Sequence, residues 1–180
     1  MSVVKVPVPG LPEEMRGESP AEAGNTLETV LVGTTRFGDL LVPVRELYTM
    51  PEGMHGFGGL SRFLLLAPPA EGGVFYWWQS AEDPAIAFPC CEPAKFFPDY
   101  RIQADEADVL RLKLAERRAL QVLVVVTVPA ATPAAITANL LGPLVMDTAD
   151  RHAWQIICER SDPRASVPLL PPRPEAAPGP

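Results

Sequence analysis

The chain has 180 residues, 47% of them hydrophobic, with a formal net charge of -7 and a sequence pI near 4.8. That length and apolar content suit one domain with a real core. An acidic balance without a basic stripe argues against direct binding to nucleic acid or to an anionic membrane, and no apolar run approaches the roughly 18 residues of a membrane-crossing helix.

In chain order, the first 25 residues are rich in proline, glycine and glutamate and read as a disordered extension. Pro7 and Pro9 deny the segment VVKVPVPG a ladder. The N-terminus has no basic region followed by an apolar core, as a secretory signal would, so the expected compartment is the cytoplasm. Leu27 to Gly33 reads as a strand, Phe37-Gly38-Asp39 as a turn, and Leu40 to Val44 as a second strand that Pro43 places at an edge or an end. Arg45 to Met50 extends it or adds a third. Pro51 to Gly59 is dense in glycine. It lacks the Lys-Ser/Thr and the following helix of a phosphate-binding loop, so it reads as a turn with positive-φ positions, and His55 within it is assigned no chemistry.

Phe63 to Ala67 and Val74 to Gln79 form a predicted hairpin, Ser80 to Pro84 a turn, and Ile86 to Cys91 a strand with a bulge or edge at Pro89. Glu92 to Tyr100 is a loop whose Phe96, Phe97 and Tyr100 make either an exposed patch or a lid on the core. Asp105 to Leu114 is the one predicted helix, capped by Asp105, with Val109, Leu110 and Leu112 as a partial apolar stripe. Val122 to Val128 is β-branched and apolar almost throughout. A half-solvated strand alternates, so this one is expected to be covered on both faces. Pro129 and Pro133 stop it, and a second apolar run, Leu144 to Met146, follows the polar pair Thr137 and Asn139. Asp147 to Asp150 is a turn, Trp154 to Glu159 a last strand, and residues 162–180 a proline-rich tail.

The expected fold is therefore all-β and mainly antiparallel: a small single-domain β-barrel over residues 26–161, with one short helix and irregular tails at 1–25 and 162–180. Cys90, Cys91 and Cys158 are odd in number and two are adjacent, which predicts buried free thiols; His55 and His152 complete no ligand set, so no metal is expected. No nucleophile elbow, dinucleotide fingerprint or zinc spacing is present, and no catalytic residue is nominated. Small barrels also hold flavins and other ligands, so a split-barrel cofactor protein or enzyme stands as the alternative to a binding module.

Seven stretches then carry a resemblance: TRFGDL from Thr35, PEGMHGFGGLSRFLLL from Pro51, WQSAEDPAIAF from Trp78, EPAKFFPDY from Glu92, TVP from Thr127, TANLLGPLVM from Thr137 and WQIICE from Trp154. In this order, from about Leu27 to Pro168, the chain resembles the flagellar assembly factor FliW family. It departs from the family pattern in three places: His55 stands where the loop has proline, Gly142 where it has alanine before Pro143, and Trp78 where it has leucine. The resemblance implies a cytoplasmic, non-enzymatic protein without cofactor; a monomer is the expected state, although the sequence leaves it open. Such a protein binds flagellin as a chaperone and binds the translational regulator CsrA, relieving repression of flagellin translation without touching RNA. It also nominates Gln79, Thr137, Asn139 and Gln155, polar residues beside apolar strands that either tie down turns by bonding backbone groups or contact a partner, and Phe96, Phe97 and Tyr100 as partner-binding candidates.

Overall fold

In the computed structural model, residues 3–6, 28–68, 73–158 and 165–169 are described. They contain, in order, strands β1 (Val3–Val6), β2 (Thr29–Val32), β3 (Leu40–Pro43), β4 (Tyr48–Thr49), β5 (Arg62–Leu66), β6 (Phe75–Ser80), β7 (Ala87–Cys91) and β8 (Ile102–Asp105), then helix α1 (Glu106–Arg111). Strands β9 (Leu120–Thr127), β10 (Thr137–Ala138), β11 (Leu144–Asp147), β12 (His152–Gln155) and β13 (Val167–Pro168) complete the order. The all-β, mainly antiparallel expectation holds. Pairings run β4–β5–β6–β7–β9–β11–β12, all antiparallel, and one parallel pair, His152 with Thr49, returns β12 to β4, so the ring closes.

Every strand of that ring sends a side chain into one cluster: Tyr48, Phe63, Trp78, Cys90, Leu123, Met146 and Ala153 among others. Only the inside of a closed ring brings all of these together. The packing there is aromatic, with Phe63 stacked on Trp78 at 5.1 Å and Tyr48 tilted against it at 5.3 Å. A second core lies outside the ring, where Val122, Val124 and Val126 meet Ile102, Leu112 and Trp154. Thus β9 is covered on both faces, as its unbroken apolar run requires. A third, smaller cluster of Val32, Leu47 and Leu64 lies under the β2–β3 hairpin. Cys90 faces the ring interior and Cys91 the outer core, opposite faces as adjacent strand residues must be.

Two segments that composition had assigned to tails carry strands. Val3–Val6 pairs with Ile102–Asp105 in a four-residue antiparallel register, because the ladder ends before Pro7 rather than running through it. Within the expected C-terminal tail, Val167–Pro168 pairs with Thr137–Ala138 and Leu169 enters the outer core. The remainder of both expected tails lies outside the described residues. The last predicted strand is also displaced. β12 begins at His152, two residues before Trp154, and Ile156 to Cys158 leave the ladder, although their hydrophobicity continues. Arg45 to Met50 supplies a short 3-10 turn, Val44–Glu46, and then β4.

Helix α1 has the expected cap: Asp108 N–H donates to Asp105 Oδ1 at 2.6 Å, and Lys113, at φ 51°, ends the turn that follows. Six residues do not sustain a helix alone, and Leu112 and Leu114, just past its end, anchor it in the core. Leu110, expected in the apolar stripe, is instead 71% exposed. The stripe is completed by residues beyond the helix, so Leu110 turns to solvent. Leu123→Ala, at a position with no exposed surface, is therefore expected to lower unfolding free energy by about 2–5 kcal/mol, and Leu110→Ala to change it by less than about 0.5 kcal/mol, in urea titrations followed by tryptophan fluorescence.

Candidate partner-binding site

β10 and β11 lie along the same edge of β9, but not as one continuous strand. Ala138 faces Val126 and Leu144 faces Leu123, so Asn139, Leu140, Leu141, Gly142 and Pro143 stand opposite only Val124 and Val125. The surplus is a wide bulge, and its backbone groups need partners that the ladder cannot give. Asn139 N–H still reaches Val125 O at 2.9 Å, and the Asn139 side chain closes an Asx turn by accepting from Leu141 N–H at 3.0 Å. From below, the Tyr100 hydroxyl donates to Leu140 O at 3.0 Å. Alongside, Ile156 N–H donates to Pro143 O at 3.0 Å and Cys158 N–H to Leu141 O at 2.8 Å, which is why that segment abandons β12.

The Gln155 side chain joins this bulge to the glycine loop. Its Nε2 donates to Gly142 O at 3.2 Å, and its Oε1 accepts from His55 N–H at 2.8 Å. Both contacts fall on departures from the family pattern. A proline at position 55 has no N–H to give. A Cβ at position 142 would lie 2.9 Å from Gln155 Nε2. Glycine at 142 leaves room for the amide, and histidine at 55 supplies its second bond. Loop Pro51–Gly59 is held in shape by positive φ at Gly53, Gly56 and Gly59, and it presents Phe57, 38% exposed and edge-on to Phe88 at 5.0 Å. Ile157, 43% exposed, sits between the two residues that bond the bulge.

Three predicted residues from three separate stretches, Tyr100, Asn139 and Gln155, thus converge on one feature. Thr137 lies just before it, half-buried in β10. The other predicted residues are elsewhere or covered. Tyr100 is 5% exposed, so it supports the bulge from the core and is no exposed anchor. Phe96 and Phe97 are half-buried against the outer core, with Phe96 stacked on Phe75 at 6.3 Å, which is the lid reading of that loop. Gln79 is fully buried, its Nε2 donating to Ser80 O and Ile86 O to hold the turn after β6, and it belongs to neither feature. Sequence reasoning passed over Phe57, Ile157 and the backbone of His55. Ile157 stands in an apolar run with nothing local to mark it as exposed, Phe57 lies in the glycine loop to which no chemistry was assigned, and a backbone donor carries no residue signature.

Burial pushes both vicinal thiols up, that of Cys91 to about 12 with further help from the Glu92 carboxylate, which disfavours the nucleophilic thiolate form. A shallow cleft beside the end of α1 gathers Lys113, Arg117, Arg118, Asp147 and Asp150, but its central charges pair with one another. Arg117 donates to Asp147 at 2.7 Å, to Asp150 at 3.3 Å and to Leu112 O at 2.9 Å, and its guanidinium lies 4.5 Å from the centre of the Trp154 ring. Burial acts to raise the Asp147 carboxyl, but bonds from Arg117 and from the Asp150 and Ala149 N–H groups hold it below the usual carboxylate range. Among the described residues no cluster of three or more His, Cys, Asp or Glu is placed to hold a metal ion, and no helix is long and apolar enough to cross a membrane.

Residues 31–169 match the family model described as FliW protein. The flagellar assembly factor FliW of Magnetococcus marinus is 36% identical over 137 residues, spanning 76% of this chain and 83% of that one. The protein of the same name from Bdellovibrio bacteriovorus is 34% identical over 141 residues, spanning 78% and 79%. A crystal structure of the flagellar assembly factor FliW aligns with a TM-score of 0.69 at 26% identity, covering 79% of this chain and 98% of that chain.

Two predictions follow from the geometry. Gly142→Ala should destabilise the chain while Gln155 is present and become neutral or favourable once Gln155 is replaced by alanine, a coupling of about 0.5–1.5 kcal/mol in a double-mutant cycle. Asp147 has a depressed native pKa, so its contribution is present above the unfolded carboxylate value of about 3.9 and is lost as pH falls through the lower folded value. Asp147→Asn is accordingly less stable than the parent at pH 7, and the gap closes on acidification below about pH 4, as urea midpoints across pH will register.

Proposed function

The chain belongs to the FliW family of flagellar assembly factors, and from that membership we propose that it is a non-catalytic binding protein of the cytoplasm. In this reading it holds flagellin before export and, once freed, binds the regulator CsrA and relieves repression of flagellin translation. Each ligand then shifts the apparent affinity of the other through the same small domain. The observation that carries the reading is the braced bulge. Residues from three motif stretches are engaged in fixing this buried to half-buried bulge, and two segments bonded to it, the glycine loop and Ile156–Cys158, carry the exposed Phe57 and Ile157. Rigid exposed apolar side chains next to satisfied backbone make an efficient protein contact. A net charge of -7 favours encounter with a basic partner such as an RNA-binding protein.

The alternative, a flavin or small-molecule protein, calls for a roomy interior pocket with converging polar groups. The interior of the ring is filled by Trp78, Phe63, Tyr48, Met50 and Met146, which supports the binding module instead. Titration calorimetry of the purified chain with flagellin and with CsrA from its own organism tests the proposal. Binding to each is expected, with Ile157→Asp weakening at least one by about tenfold, or about 1.4 kcal/mol. Binding to neither, or a flavin band in the visible spectrum of the purified protein, overturns it.

A further inference from the structure

The last described residues return to the domain as a strap. β13 lies antiparallel to β10, with Ala138 opposite Val167 and Thr137 opposite Pro168, and Leu169 N–H donates to Ile136 O at 3.0 Å. Leu169 is 7% exposed in the outer core, and Val167, two residues away on the same face, is half-buried against it. Hydrogen-bonded and non-bonded pairs alternate along an antiparallel ladder. The bond at Leu169 therefore makes Pro168 and Thr137 a non-bonded pair, and the N–H that proline lacks would have pointed away from β10. Pro168 costs the pairing nothing and closes the outer edge to a further strand.

We propose that the edge of β10 is a docking slot for an extended segment of a partner protein carrying apolar residues two apart, and that β13 is a built-in occupant which such a segment displaces by adding as a strand. The slot is already formed: backbone groups of Ile136 and Ala138 face it, and an apolar well receives Leu169. The incumbent states the chemistry that fits, two aliphatic side chains on one face of an extended strand. Two paired residues hold it, against the eight-residue β9 beneath, so it opens locally while the ring stays folded. The slot also runs directly into the bulge, since Ala138 precedes Asn139, so whatever occupies the edge sets the backbone next to the Gln155 and Tyr100 contacts. This inference stands on β10 and β13 and not on the partners named above.

The test uses the full chain with Leu169→Asp, which releases the strap, and a fluorescent peptide of residues 165–171 (Ala-Ser-Val-Pro-Leu-Leu-Pro) as probe. The peptide is expected to bind the variant at least about tenfold more tightly than the parent chain, and a peptide with aspartate in place of its valine and first leucine to bind neither. Equal affinity for parent and variant, or equal binding of the aspartate peptide, overturns the proposal. Should the variant fail to fold, amide exchange on the unaltered chain decides: the Leu169 amide is expected to exchange at least about a hundredfold faster than that of Val124, and equally slow exchange means that the strap opens only with the whole domain, which also overturns it.

Discussion

Everything in this structure depends on β9 being buried on both faces while sharing both edges. Val122, Val124 and Val126 belong to the outer core and Leu123 to the ring interior. At about 1.5–3 kcal/mol for each fully buried aliphatic side chain, these residues tie the two cores together through one strand. A strand apolar on both faces has a weakness, however. A slip of one residue exchanges valine for valine and leucine, so hydrophobic pattern alone does not fix its register. The neighbours fix it. Cys90 and Cys91 pair with Val125 and Val124, and Pro89 lies where that contact ends. On the other edge, Asn139 N–H to Val125 O sets where β10 stops and the bulge begins.

The bulge follows from the same constraint. β10 and β11 both need the edge of β9, and the five residues between them exceed the two opposite. Surplus backbone in a partly buried place must be satisfied, and the bonds come from Tyr100, Asn139 and Gln155, together with the Ile156–Cys158 segment. Of the residues nominated for partner contact, Tyr100, Asn139 and Gln155 brace the bulge, which for the two amides is the turn-tying role their chemistry also offered. Gln155 shows how such scaffolding is shared: its two ends bond the His55 N–H and the Gly142 carbonyl, so one side chain ties the glycine loop to the bulge.

What the sequence made legible is what local chemistry determines. The two-faced burial of Val122–Val126 (though not of Thr127 and Val128, which are exposed), the Asp105 cap, the turns at Gly38 and Ser80, the separation of Cys90 from Cys91, and the motif order all follow from neighbouring residues or from matched stretches. The failures share a cause. β1 and β13 are short, contain or abut proline, and exist only because Ile102–Asp105 and Thr137–Ala138 offer them an edge distant in sequence. Composition reports the proline and not the edge. Leu110 fits a helical stripe by spacing, but Leu112 and Leu114, beyond the helix, take the core positions. The hydrophobic run through Cys158 continues past the end of β12 because the bulge, not another strand, is its partner.

A ring whose interior is packed with Trp78, Phe63 and Tyr48 leaves its outside, or rim, as the surface available to a partner of the kind proposed. Two kinds of rim are present. One is apolar side chain: Leu31 and Leu41, cross-strand partners 62% and 70% exposed on the β2–β3 hairpin, and Phe57 with Ile157 beside the bulge. The other is strand edge, closed at β10 by β13. A stable interface covers about 800 Å² on each partner, more than one pair of side chains provides. A partner seated on Phe57 and Ile157 must therefore spread over the backbone between them, and that backbone is fixed by Gln155 and continues through Asn139 into β10. Affinity at this rim is set less by the exposed side chains themselves than by how rigidly the bulge beneath them is braced, because ordering a loose loop on binding subtracts from whatever contacts it makes.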